Sequence, residues 1–221
     1  MKQCLVFLFL LQFFLGYSQL PDGFVYANDL IPDLEVDLKY LGSDNFVGQP
    51  IDGYRNNCLI LTEQTVDALK KIQNVLKQQN LAIKVYDGYR PQRAVNHFMR
   101  WARDLNDTIN KAKFYPDVKK SDLFKEDYIA FRSGHTKGST IDITIIDLDT
   151  KEELDMGSKF DFFGIQSWVN YKGITEKQKH NRQFLQTIML KYGFKNYPRE
   201  WWHFTLKEEP FPNTYFDFPV E

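Results

Sequence analysis

One segment of the sequence places a histidine and an aspartate among glycines, at residues 133–142 (SGHTKGSTID). His135 and Asp142 are seven residues apart, so on one continuous strand their side chains would point to opposite faces. Gly134 and Gly138 offer the turn or bulge that could bring both side chains to a common point. Asp142 begins an apolar run, where a carboxylate is costly to bury unless it is paired or bound to a metal. The segment therefore predicts a partner, ionic or metallic, for the charge of Asp142.

A second segment, EWWH at residues 200–203, places a carboxylate three residues before a histidine, with two tryptophans between them. Together the two segments offer His135, Asp142 and His203, the three protein ligands of a catalytic zinc site that keeps a fourth position for water. If it is not a ligand, Glu200 is the base that such a water needs. The tryptophans are expected to exclude water from the site and to raise the basicity of Glu200.

Each segment alone has an ordinary explanation. A histidine and an aspartate at this spacing occur by chance in many chains, and Glu200 and His203 could form an ion pair on the surface. Metal binding is favoured because one chain holds both segments, with glycines in one and tryptophans in the other. The remaining histidines, His97 and His180, lie on predicted helices among polar neighbours and are not expected to bind metal.

A third segment, DGYRP at residues 87–91, joins a predicted strand to a predicted helix. Arg90 is permanently charged, and its planar guanidinium suits the polarisation of a carbonyl or the binding of a carboxylate. The alternative is an arginine exposed on a surface loop.

Hydrophobic periodicity predicts the elements that position these residues. Alternating or β-branched apolar residues indicate strands at 34–40, 81–86, 141–148 and 201–206. Helical spacing indicates helices at 62–79 with Thr62 as N-cap, from Pro91 to about 102, and at 176–192 before Gly193. Because helices and strands alternate without a regular βαβ order, we predict an α+β fold. It would be a single domain with a mainly antiparallel sheet flanked by helices and the metal site at the sheet.

The N-terminal residues 1–18 have the features of a secretory signal peptide, namely a lysine, an apolar run and small residues before Gln19. A membrane anchor is the alternative, but the apolar run is shorter than the roughly 20 residues of a membrane span. We therefore predict cleavage before Gln19 and an exported domain at 19–221, periplasmic or secreted, with no stable membrane insertion.

Charge and cysteine content exclude other classes of protein. The chain has 28 Lys+Arg against 29 Asp+Glu, a net charge of -1, so it does not have the basic surface of a nucleic-acid-binding protein. Of its two cysteines, Cys4 lies in the predicted signal peptide, which leaves Cys58 without an intramolecular disulfide partner. Cys58 lies in an apolar run, which is typical of an inert packed thiol.

At these motifs the chain resembles the zinc D-alanyl-D-alanine dipeptidases of peptidase family M15, the vancomycin-resistance type. The resemblance covers most of the chain after the predicted signal peptide. The segments that carry it are 37–40 (DLKY), 44–48 (DNFVG), 52–54 (DGY), 87–95 (DGYRPQRAV), 133–142, 156–162 and 200–203. Differences from the family at 163–168 and at Thr140 lie outside the expected ligands, so they are expected to affect substrate preference and the shape of the cleft rather than the chemistry.

The resemblance implies a zinc metallopeptidase with one zinc ion per chain, held by His135, Asp142 and His203. It implies that Glu200 is the general base and that Arg90 stabilises the transition state. The expected reaction is hydrolysis of the small dipeptide D-Ala-D-Ala in the turnover of cell-wall peptides. The alternatives are a D,D-carboxypeptidase or peptidoglycan endopeptidase that acts on longer peptides, or a non-catalytic secreted module. A module in which zinc only holds the fold is disfavoured, because structural zinc sites are usually closed by four ligands.

Overall fold

A computed structural model describes residues 20–221 of the chain. The predicted signal peptide and its cleavage position before Gln19 lie outside the described residues. In the part that is described, none of the helices is long and apolar enough to cross a membrane.

A mixed five-stranded sheet forms the centre of the fold, with strand order β2-β4-β5-β7-β6. Its strands are β2 (Glu35–Val36), β4 (Leu81–Asp87), β5 (Thr140–Asp147), β6 (Phe194–Tyr197) and β7 (Glu200–Leu206). Only β2 and β4 pair in parallel in this sheet, and the other neighbours are antiparallel. A separate antiparallel pair consists of β1 (Phe24–Tyr26) and β3 (Ile60–Thr62). The predicted single-domain α+β fold is confirmed.

The predicted strand at 34–40 is wrong in its length, because only Glu35–Val36 form a strand there. Beyond Val36 the chain still follows β4, with the backbone N–H groups of Asp37 and Lys39 donating to the carbonyls of Val85 and Tyr86 at 2.9 and 3.1 Å. These donors are two residues apart and their acceptors are adjacent, so the regular ladder is broken at this point. Alternating hydrophobicity does not reveal such an interruption.

The described residues contain four α-helices, α1 (Glu63–Lys77), α2 (Gln92–Arg103), α3 (Lys111–Phe114) and α4 (Glu176–Lys191). The three long helices lie where periodicity predicts them, and the short α3 was not predicted. Helix α1 buries its apolar stripe of Val66, Leu69, Ile72 and Leu76 against β4.

The ends of the helices follow local sequence signals. Thr62 is the N-cap of α1 as predicted, but its hydroxyl bonds the hydroxyls of Thr65 and Ser139 at 2.8 and 2.9 Å rather than a backbone N–H group. A full capping box of Thr175 and Gln178 begins α4. Gly193 follows this helix with a φ of 93°, a conformation that glycine adopts without strain.

The strand β5 is buried along nearly its whole length, from Thr140 to Ile146. It lies between β4 and β7, so both of its edges are hydrogen-bonded and its main chain is held rigidly. Any side chain at the start of β5 therefore has a fixed position relative to the ends of β4 and β7.

Candidate metal centre

The sheet brings three polar residues from neighbouring strands into one row. Asp142 on β5 is the direct partner of His203 on β7, and Asp87 at the end of β4 is its partner on the other side. Directly opposed residues on antiparallel strands point to the same face. Two of the sequence-predicted residues, Asp142 and His203, therefore meet because of strand register alone.

His135 reaches the same place from a single 3₁₀ turn, Gly134–Lys137, immediately before β5. The Ser133 hydroxyl accepts a hydrogen bond from the backbone N–H of His135 at 3.3 Å, which holds the start of the turn. Gly138 ends the turn with a φ of 82°, where a side chain would also collide with the Phe24 ring. On one continuous strand His135 and Asp142 would point to opposite faces. The turn brings the two side chains to the same place, as the glycines predicted.

The three side chains direct their ligand atoms at one another. His135 Nε2 lies 3.3 Å from Asp142 Oδ2 and 3.3 Å from His203 Nδ1, and Asp142 Oδ1 lies 3.0 Å from His203 Nδ1. Ligand atoms held about 2.0–2.1 Å from a tetrahedral zinc ion lie about 3.3 Å from one another. These three residues are the one group of metal-ligand type found in residues 20–221. Their spacing fits a single small metal ion.

The surroundings of these atoms also fit a metal. Asp142 Oδ1 is buried and forms no hydrogen bond within the described residues, so a carboxylate oxygen is left without the partner that burial demands. His135 Nδ1 lies 2.8 Å from the carbonyl oxygen of Gly88. Since a carbonyl only accepts, Nδ1 carries the hydrogen and Nε2 has its lone pair free, the tautomer that a metal ligand needs. Burial raises the pKa of Asp142, but the neighbouring His135 and His203 lower it by a larger amount, so the pKa lies below its usual value and the carboxylate is ionised.

Glu200 stands at the edge of this cluster, with Oε2 3.4 Å from His203 Nδ1. Its side chain is 28% exposed, so the carboxylate reaches the open cleft. Desolvation raises the pKa of Glu200 to about 7, against the opposing effect of His203. A group with this pKa accepts and releases a proton readily near neutral pH.

The tryptophans beside Glu200 do not have the predicted role. Trp201 and Trp202 are 2% exposed and lie in the core, where Trp201 donates to the Ser158 hydroxyl at 2.9 Å and Trp202 packs against Phe160. The aromatic residues that line the cleft near Glu200 are Tyr128 and Tyr197. The prediction that these tryptophans flank the site was wrong. Successive side chains of a strand point to opposite faces, and both faces of β7 are covered at Trp201 and Trp202.

Arg90 is not the exposed loop residue that was the alternative to a functional role, since its side chain is only 13% exposed. Its Nε and one terminal nitrogen contact Asp87 Oδ2 at 2.9 and 2.7 Å, and the same terminal nitrogen lies 3.7 Å from Asp142 Oδ2. The rings of Tyr40 and Phe98 have their centroids 5.0 and 5.3 Å from the guanidinium carbon. The cation is therefore held beside the ligand cluster.

A cleft of about 310 Å³ opens onto these groups. Its lining includes His135, Asp142, His203, Glu200 and Arg90. The five residues that sequence reasoning selected therefore share one cleft.

The cleft also contains a carboxylate that the sequence did not single out for a role, Asp161. Asp161 is buried and accepts a hydrogen bond from the Tyr40 hydroxyl at 2.8 Å. Burial, with Asp142 as a second cause, raises the pKa of Asp161 well above its usual value. The sequence does contain a signal for Asp161, because it lies between Phe160 and Phe162. An aspartate in such an apolar segment is predicted to be buried and to need a partner.

The other histidines and the cysteine lie outside this group of three residues. His97 Nδ1 lies 3.2 Å from Asp52 Oδ1, and His180 is exposed on α4. Cys58 is a free, half-buried thiol packed against the core, and burial raises its pKa. A raised pKa keeps the thiol protonated and unreactive.

Comparison with known proteins defines the class to which this fold and site belong. A family model for the M15 peptidases, described as D-Ala-D-Ala dipeptidase, matches residues 21–221. The chain therefore belongs to this family and is a metallopeptidase, which confirms the resemblance seen in the motifs.

Individual relatives agree over nearly the whole chain. A protein of Enterococcus faecium is 40% identical over 199 residues, which cover 90% of this chain and 98% of the relative. A protein of Streptomyces coelicolor is 40% identical over 197 residues, covering 89% and 98%. A more distant protein of Escherichia coli is 31% identical over 179 residues, covering 81% and 82%. All three relatives are named D-alanyl-D-alanine dipeptidase.

Proposed function

We propose that the protein is a zinc-dependent dipeptidase that hydrolyses D-Ala-D-Ala, with one zinc ion per chain held by His135, Asp142 and His203. The observation that carries the proposal is the meeting of three side chains of metal-ligand type. The ring nitrogens His135 Nε2 and His203 Nδ1 lie 3.3 Å apart and 3.3 and 3.0 Å from the two carboxylate oxygens of Asp142, of which Oδ1 is buried without a hydrogen bond from the described residues. The names of the relatives support the substrate.

Zinc bound by these ligands supplies a Lewis acid that makes water nucleophilic near neutral pH and polarises a carbonyl. Glu200 Oε2 takes the proton from the attacking water as the oxygen adds to the scissile carbonyl carbon. The same carboxyl group then gives that proton to the nitrogen of the departing amino acid, so the peptide bond breaks and Glu200 returns to its carboxylate form. The position of Glu200 beside His203, open to the cleft, suits both transfers.

Arg90 stabilises the charge that develops on the carbonyl oxygen. Its guanidinium lies beside Asp142 and keeps its positive charge at any working pH. A fixed donor aimed at a developing oxyanion is among the strongest catalytic effects, and loss of one typically slows turnover by about 10²–10³-fold.

The cleft suits a small zwitterion. Its volume of about 310 Å³ is at the lower end of the range of about 300–1,000 Å³ that ligand pockets cover. The buried carboxyl group of Asp161, with Tyr40 beside it, is the group on the wall that would bind the free ammonium of a dipeptide. Arg132 lines the same cleft, with its guanidinium carbon 5.1 Å from the centroid of the Tyr215 ring, and its cation would bind the carboxylate of the dipeptide.

A hydrolysis profile tests this substrate. The purified protein is stripped with a chelator, reloaded with zinc, and assayed on D-Ala-D-Ala, D-Ala-L-Ala, L-Ala-L-Ala and a muropeptide that ends in D-Ala-D-Ala. We expect the free D,D-dipeptide to be hydrolysed fastest. Faster cleavage of the muropeptide would instead assign a D,D-carboxypeptidase or a peptidoglycan endopeptidase.

We also propose that residues 1–18 are a secretory signal peptide and that residues 19–221 are the exported dipeptidase domain. An exported dipeptidase suits turnover of cell-wall peptides, because its substrates are released outside the cytoplasm. N-terminal sequencing of the protein recovered from the periplasm or the medium should begin at Gln19, and an intact Met1 there would contradict the proposal.

A further inference from the structure

Asp87 is the most deeply buried acid of the site, with none of its side chain exposed, and no role is yet assigned to it. Its Oδ1 atom accepts a hydrogen bond from the Tyr54 hydroxyl at 2.6 Å. Its Oδ2 atom accepts from Arg90 Nε at 2.9 Å and lies 2.7 Å from a terminal nitrogen of the same guanidinium. Asp87 therefore connects a buried tyrosine to the proposed catalytic arginine.

These contacts fix the orientation of the Arg90 side chain. An arginine has several rotatable bonds, and holding it in one rotamer costs conformational entropy. Asp87 binds one edge of the guanidinium, and the Tyr40 and Phe98 rings lie against it. The one terminal nitrogen of Arg90 that Asp87 does not contact is left for the cleft, which Arg90 lines.

The negative charge of Asp87 also reduces the electrostatic repulsion between Arg90 and a metal ion bound at the site. The guanidinium lies 3.7 Å from Asp142, a proposed metal ligand, and a cation so close to a metal ion is repelled. The carboxylate of Asp87, 2.7 Å from the same terminal nitrogen of Arg90, offsets that repulsion. The register shift between Val85 and Asp87 in the pairing of β4 with β5 places Asp87 directly opposite Asp142.

We propose that Asp87 and Tyr54 are positioning residues that hold Arg90 in its catalytic orientation. The inference depends on the proposed function, in which Arg90 stabilises the transition state. A competing role exists, because Asp87 Oδ2 also lies 3.5 Å from His135 Nδ1. That nitrogen has a nearer acceptor in the Gly88 carbonyl at 2.8 Å, so Asp87 acts on Arg90 rather than on the metal ligand.

The test is a double-mutant cycle. Tyr54→Phe and Asp87→Asn are each made alone and combined with Arg90→Ala, and turnover is measured on the dipeptide that the wild type hydrolyses fastest. We expect Asp87→Asn to lower kcat by about 100-fold, the loss typical of a 1 Å misplacement, with KM changed less than about threefold. Tyr54→Phe should lower kcat by about tenfold. Neither change should lower turnover further when Arg90 is already alanine.

Two measurements do not depend on turnover of the loaded enzyme. Zinc content should stay near that of the wild type in both single variants, since the metal ligands are untouched. The dissociation constant of a phosphinate analogue of the dipeptide, a tetrahedral anion, should rise by the same factor by which kcat/KM falls. The matched control is Tyr26→Phe, which removes a tyrosine hydroxyl bonded to the Glu221 carbonyl outside the cleft and should change none of these values.

Added guanidinium ion separates positioning from a general loss of structure. Guanidinium should restore part of the activity of Arg90→Ala, because Asp87 and the rings of Tyr40 and Phe98 still form a binding site for it. It should not restore the activity of the double variant Asp87→Asn/Arg90→Ala, which lacks the Asp87 carboxylate. Any of three results would overturn the inference. The first is that the losses caused by Asp87→Asn and Arg90→Ala multiply in the double variant, and the second is that guanidinium rescues Arg90→Ala and the double variant equally. The third is a fall in the zinc content of Asp87→Asn. Failure of the proposed function is a separate result, namely that the wild type does not hydrolyse D-Ala-D-Ala while it turns over another peptide.

Discussion

Asp142 and His203 lie directly opposite each other on β5 and β7, with Asp142 Oδ1 3.0 Å from His203 Nδ1. Both residues are thus placed by backbone hydrogen bonds of the sheet rather than by a mobile loop. His135 joins them from a turn that a glycine ends and that leads directly into β5. Such a site is already in place before substrate binds, which is what efficient catalysis requires.

Replacement of the proposed base should separate chemistry from metal binding. In Glu200→Gln the amide cannot accept the proton from water, so kcat should fall by about 10²–10⁴-fold while zinc content is unchanged. The measurement is steady-state hydrolysis beside metal analysis of the same sample. Glu208→Gln, a change at an exposed acid after β7, serves as the control and should have wild-type kinetics. If Glu200→Gln keeps near-normal turnover, another group is the base.

The acid on the cleft wall should determine recognition of the substrate amine. In Asp161→Asn the charged contact is lost, and kcat/KM for the free dipeptide should fall by about 10–100-fold. The N-acetylated dipeptide has no ammonium to lose, so its much lower kcat/KM should hardly change. The assay compares the two substrates, with Asp117→Asn at an exposed position as the control. Equal losses for both substrates would contradict a role in binding the amine.

The capping box of α4 should contribute to stability and not to catalysis. The Thr175 hydroxyl accepts from the Gln178 backbone N–H, and the Gln178 side chain accepts from the Thr175 N–H. Thr175→Ala should therefore lower the free energy of unfolding by about 0.5–2 kcal/mol. Urea unfolding measures this, and Thr187→Ala, at an exposed position in the same helix, is the matched control. Equal destabilisation by the two changes would show that the cap does not matter.

The residues that meet in the cleft were largely predictable from the sequence, because they lie in short segments with characteristic residue types and spacings. Gly134 and Gly138 indicated the turn that brings His135 to Asp142, and the structure has that turn. The long helices and the central strands were predictable for a similar reason, since periodicity reflects burial of one face or of a whole strand.

The groups that support the site were not predictable, because their partners are distant in the chain. Asp161 meets Tyr40 across 121 residues, and Asp87 meets Tyr54 across 33. The direction of Trp201 into the core depends on which layer covers each face of β7, which no local pattern encodes. These contacts are fixed by tertiary packing alone.

Metal removal should abolish activity without unfolding the protein. The core of the sheet and its helices is extensive, whereas proteins held together by structural zinc unfold when the metal is removed. The chelated protein should therefore keep its near-UV circular dichroism and a cooperative thermal transition, and zinc should restore hydrolysis. Loss of the tertiary signal on chelation would favour the non-catalytic zinc module.

The most direct test of the central claim is the zinc content per chain of the wild type and of His135→Ala, Asp142→Ala and His203→Ala, with His180→Ala as the control. Metal analysis after dialysis should give about one zinc ion per chain for the wild type and the control, and far less for each of the three ligand variants. Stoichiometric zinc in any one of those three folded variants would contradict the ligand set, and with it the proposed metal centre.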